Sequence, residues 1–166
     1  MKTYLTGGLE YRIQHIRDGE LLSDEVVHNL MPIEGMNYAL NAMLKGGTTY
    51  NTWYIALYEG NYVPNDSATM SNIVSAATEC TAYTEGARQA LTLGTAANGA
   101  ITNANNVAEF SMNATKTVYG CFISRTSVKN DNSNPPLLSV VRFSSAKAVV
   151  SGDKIRIIGG FSLTNI

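Results

Sequence analysis

In the segment LEYRIQ, Leu9, Tyr11 and Ile13 alternate with Glu10, Arg12 and Gln14. A period of two predicts a strand with one buried and one wet face. Asp18-Gly19 follows as a hairpin signal, because both residue types tolerate the positive φ of a tight primed turn. Residues 1–32 are therefore expected to form a mildly acidic N-terminal arm or hairpin extension, and residues 33–166 the main β domain. The period then changes. In IEGMNYALNAMLKGG, Ile33, Met36, Leu40, Met43 and Leu44 recur at spacings of three and four, which predicts a short helix with one apolar stripe. Glu34 near its start and Lys45 near its end suit the helix dipole, and Gly46-Gly47 ends it.

The stretch NTWYIALYEG fits neither pattern. Trp53, Ile55 and Leu57 alternate with Tyr54, Ala56 and Tyr58, so both faces of the implied strand read as apolar. The helix stripe is expected to cover one face and an opposing sheet the other; failing that, Tyr54 and Tyr58 would meet another subunit. Beyond it, strand-like runs recur: ARQALTLG, VAEFSMN, KTVYGCFISR, LLSVVRFSS, AVVSGDKIRIIGG and FSLTNI. Turn signals separate them at Asn98-Gly99, Asn113 to Lys116, the polar KNDNSNPP loop and Gly152-Asp153. The run SATMSNIVSAATECTAY reads equally as irregular chain or as a short helix. The pattern predicts an all-β fold, an antiparallel β-sandwich of jelly-roll-like or immunoglobulin-like type with one short α-helix and an N-terminal arm.

Composition narrows the class of function. Only 15% of the 166 residues are charged, and the formal net charge is −1. Phosphate backbones require a basic surface, so nucleic acid is not the expected partner. Near-neutral chains repel one another little, which favours assembly. No run reaches the roughly 18 apolar residues of a membrane helix, so no membrane partner is expected. The opening MKTYLTGGLEYR lacks an apolar signal core, so synthesis in a cytosol is expected. Cys80 and Cys121 have no metal-ligand spacing and are expected to be buried small hydrophobes, with one long-range disulfide between them as the alternative.

Catalytic signatures are sparse. Nucleotide-binding loops, the His-Glu-x-x-His helix and the Gly-x-Ser-x-Gly elbow do not occur in the sequence. His15 and His28 are the two histidines; Asp24 and His28 would meet on a helix face, but a metal needs further ligands. Glu59 and Glu85 form a conceivable carboxylate pair for a hydrolase. The plainer reading pairs Glu85 with Arg88 inside YTEGAR or has it cap a turn. No catalytic residue, metal or cofactor is assigned.

From His28 onward the order of segments is distinctive: HNLMPIEGMNYALNAMLKGG, NTWYIALYEGNYVP, TAYTEGARQALTLG, the TVYG strand and a closing SGD. This order resembles the small β-sandwich virion proteins of tailed bacteriophages. The resemblance implies a structural protein that binds and stabilises the capsid lattice, a decoration or cement protein. It also implies the major capsid protein or other virion proteins as partners, a homo-oligomer, and residence in the virion after assembly in the host bacterial cytoplasm. No enzyme activity and no cofactor come with it. The alternative is a tail or fibre-associated module that contacts a host glycan or another tail protein, with Tyr50, Tyr62 and Tyr83 exposed at loop tips. Residues 1–27 fall outside the resemblance. Tyr54, Tyr58, Tyr62, Tyr11 and Arg12 are the candidate interface residues, since tyrosine supplies rigid amphipathic contact area.

Overall fold

The computed structural model describes residues 5–165, with side chains from Gly7 to Thr164. The first four residues of the expected arm and the terminal Ile166 lie outside the described residues. A long hairpin opens the chain, β1 (Leu5–Arg17) and β2 (Glu20–His28), followed by α1 (Ile33–Leu44) and β3 (Tyr54–Tyr58). Next come α2 (Met70–Ala76) and the short strands β4 (Glu79–Cys80), β5 (Gln89–Ala90), β6 (Ala100–Thr102) and β7 (Ala108–Ser111). Three long strands close it: β8 (Lys116–Ser124), β9 (Ser139–Val149) and β10 (Lys154–Asn165). They build two antiparallel sheets. The first runs β2-β1-β10-β6, with β7 on the same edge of β10; the second runs β4-β3-β8-β9, with β5 also on β3. The protein is an all-β sandwich.

The sheets differ in how many faces they bury. Leu9, Tyr11 and Ile13 of β1 point into the inter-sheet core, while Arg12 and Glu10 stay in water, as their alternation predicts. The second sheet is covered twice. Ile55, Leu57, Cys121 and Ile123 face the first sheet, whereas Ala56, Tyr58, Phe122 and Val140 pack beneath α2 with Met70, Ile73 and Ala77. A strand buried on both faces carries no polar alternation, and this accounts for TWYIALY. The cover of the second face is therefore α2 of the same chain, not the α1 stripe. α2 comes from the ambiguous run: Thr69 and Asn72 form a capping box at its start, and Thr78, with φ +54°, turns the chain out of it.

The opening hairpin corrects the expectation of an arm. Asp18 and Gly19 do take the predicted positive φ, +51° and +82°. But β1 lies between β2 and β10, in register from Leu5 opposite Asn165 to Ile16 opposite Lys154. Tyr11 and Ile13 are fully buried, and the Tyr11 hydroxyl donates to Ser139 Oγ at 2.8 Å. The amino-terminal segment is thus the middle of a sheet. Local alternation revealed the strand, but its partner is the far end of the chain. Two expected breaks are also absent: β9 runs through Ser144-Ser145, and β10 through Gly159-Gly160.

The buried charged side chains of the sandwich are ion-paired. At the turn end, Asp153 takes His15 Nε2 at 2.7 Å and Arg17 Nη2 at 2.7 Å, tying β1 to the loop before β10. Beneath the second sheet's rim, the fully buried Arg88 forms a two-pronged ion pair with Glu79, 2.6 Å at its shorter contact. The expected Glu85–Arg88 pair is not formed; Glu85 instead accepts the Ser111 N–H at 3.1 Å. Arg88 also donates to the Asp131 carbonyl, so the KNDNSNPP loop is anchored to the core.

Candidate interaction surface

α1 carries its residues the unexpected way round. Gly35, Tyr38, Ala39 and Ala42, spaced three and four apart, form the inward face. A Cβ on Gly35 would stand 2.5 Å from the Leu138 carbonyl oxygen and 2.9 Å from that of Leu137. The helix therefore lies directly on backbone, an approach open only to a face of small side chains. Tyr38 completes the inner face, stacked on Tyr50 at 5.4 Å and edge-on to Trp53 at 5.3 Å. Its hydroxyl accepts the Tyr50 N–H.

The stripe of large apolar side chains is consequently turned to solvent. Ile33 is 51% exposed, Met36 41%, Leu40 56%, Met43 63% and Leu44 75%. Together they expose on the order of 500 Å² of apolar surface, the size of the largest apolar patch on a typical monomer, which is often a functional one. Beside it, where the sandwich opens between its sheets, lies an apolar slot of about 220 Å³. Leu9, Trp53, Leu91, Leu138 and Phe161 wall it, and Met43 stands at its mouth. Gly159 and Gly160 of β10 supply no side chains to fill it. The one acidic residue of α1, Glu34, is turned away from the stripe: its carboxylate accepts the N–H groups of Met70 and Leu137 at 2.8 and 2.7 Å. The same contact joins α1 to the first turn of α2.

None of the residues expected to form an interface lies on this surface. Tyr11 is in the inter-sheet core, and Tyr58 is fully buried, its hydroxyl donating to the Val141 carbonyl. Tyr58 is thus excluded as an inter-subunit contact. Tyr54 is half-buried on β3 between Ala90 and Ser124. Tyr62 is half-buried and meets Tyr58 edge-on. Arg12 lies on the open face of the first sheet and grips Asp24 at 2.5 Å; this partner holds the Asp24 carboxyl down at about 2. The loop-tip aromatics of the alternative reading do not gather either: Tyr83 is buried, and Tyr50 is half-covered by Tyr38.

The remaining candidate chemistry is likewise absorbed into structure. Glu59 pairs with Lys116 at 3.0 Å. Asp24 and His28 lie on a strand, where four residues span roughly 13 Å, so they do not meet as on a helix. Among the described residues no group of three or more His, Cys, Asp or Glu is gathered in a way that could hold a metal ion. Cys80 and Cys121 are free and buried, opposite Leu57 on its two sides. Two ladder spacings, about 10 Å, separate them, beyond the roughly 7 Å limit for a disulfide. Burial raises the Cys80 thiol to about 11 and the Cys121 thiol further. The outward stripe was legible in the sequence as periodicity; its exposure was not. Comparison with models of known protein families and with curated proteins yields no match for this chain.

Proposed function

We propose that this chain is a structural protein of a tailed-phage virion that binds and stabilises the capsid lattice as an oligomer. The observation that carries this reading is the α1 stripe: five large apolar side chains held outward on a helix seated on backbone, beside an open apolar slot. Such a surface is suited to adhesion. Covering the exposed parts of Leu40 and Leu44 gains roughly 1–2 kcal/mol each. The segment order from His28 onward supports the virion assignment, and a near-neutral sandwich suits close packing among copies.

The test is direct. Particles assembled with and without this chain are compared by cryo-electron microscopy, and the added density is located. The Leu40→Ser, Leu44→Ser double variant is then titrated onto particles lacking the chain. Loss of both apolar contacts is expected to weaken association on the order of 100-fold. Identical density in the two particle types, or binding indifferent to the double substitution, would remove the reading.

A further inference from the structure

We infer that the partner seated on the α1 face is a second copy of this chain, the two helices packing antiparallel about a two-fold axis between Met36 and Leu40. This takes from the proposal above only that the α1 face is adhesive. Three features of the face suit a copy of itself.

The first is charge. A two-fold contact sets each residue against a residue of the same surface, so any charge on it meets its own kind. Between Ile33 and Leu44 the stripe carries none, because Glu34 is turned inward to the Met70 and Leu137 N–H groups and Asn37 and Asn41 are neutral; the exposed Lys45 follows only past the helix end, outside the overlap of the two helices. A face for an unlike partner is under no such constraint. The antiparallel arrangement also sets the positive end of each helix dipole beside the negative end of the other.

The second is shape. The ridge and the hollow lie side by side on one surface, with Met43 between them. In an antiparallel pair about that axis, Met36 of one copy falls opposite Leu40 of the other, and Ile33 comes to the slot mouth opposite the other's Met43. Ridge meets hollow twice. A slot of about 220 Å³ accommodates such a side chain.

The third is area. The stripe offers on the order of 500 Å², and Asn37, Asn41, Leu93 and the slot rim extend the face towards the roughly 800 Å² per partner of a standard interface.

The experiment uses the full chain in sedimentation velocity across the micromolar range, with Leu40→Lys and Leu40→Glu variants alone and mixed. Leu40 is more than half exposed, so both variants are expected to melt as the wild type does. The wild type is expected to dimerise, and each variant alone to do so at least about 100-fold more weakly, since like charges then face each other. Mixing the two variants restores a dimer of one of each. A wild type that stays monomeric throughout, or variants that dimerise as the wild type does, overturns the inference. A monomeric wild type that still binds phage shells through Leu40 and Leu44 overturns self-pairing while leaving the lattice proposal standing. A dimer that ignores every shell supports self-pairing and removes the lattice proposal.

Discussion

Arg88→Met tests the interior most sharply. Arg88 and Glu79 both have fully buried side chains, joined by contacts of 3.0 and 2.6 Å. The guanidinium also donates to Ser124 Oγ at 3.0 Å and to the Asp131 carbonyl at 2.9 Å, and it lies 5.2 Å from the centre of the Phe122 ring. Methionine preserves much of the volume but leaves the Glu79 carboxylate in the core with only the Asn130 N–H at 2.9 Å. Removing one partner of a buried pair typically costs about 3–5 kcal/mol, because the surviving charge is stranded in low dielectric. For a chain of this length each kcal/mol lowers the melting temperature by about 2–4 °C, so a fall of roughly 10 °C is expected. Urea denaturation gives the free energy directly. The control is Glu79→Leu combined with Arg88→Met, which removes both charges together. It is expected to be much milder than Arg88→Met alone, with a residual cost of about 1–3 kcal/mol from the unpaired backbone groups of the 129–136 loop. A single variant that loses less than about 1 kcal/mol, or a double variant as damaged as the single, would refute the assignment of this pair as a charge held in balance inside the core.

The other predictions follow from the same interior. Arg17 and His15 hold the Asp153 carboxyl well below its ordinary range, so its stabilisation is complete above pH ~4 and is lost as pH falls below that. Asp153→Asn should therefore lower stability at neutral pH and flatten the acid limb of a stability–pH profile; an unchanged limb would contradict it. Deleting residues 1–27 removes β1, with Leu9, Tyr11 and Ile13, and with it the centre of the first sheet. The truncated chain is expected to lose cooperative melting by circular dichroism, whereas retained cooperativity would restore the status of an arm. Both cysteines are buried with raised thiol pKa values, so a thiol reagent at neutral pH should label neither in the native protein and two per chain in denaturant.

What the sequence determined by itself is what neighbouring residues decide between them. The alternation of β1, the three-and-four spacing of α1 and the positive-φ pairs at Asp18-Gly19 and Asn98-Gly99 were all readable, because each is settled within one strand period or one turn. The apolar character of Cys80 and Cys121 was readable in the same way. Tertiary structure decided what each face meets. Periodicity states that Ile33, Met36, Leu40 and Leu44 share a side; it cannot state that the opposite side, small at Gly35, Ala39 and Ala42, is the one able to lie on the 137–138 backbone. The pairing of β1 with β10, the choice of Glu79 over Glu85 by Arg88, and the cover of Tyr58 by α2 are likewise contacts between distant segments. Their energies depend on packing and desolvation that exist only once the chain has closed, and no local pattern carries them.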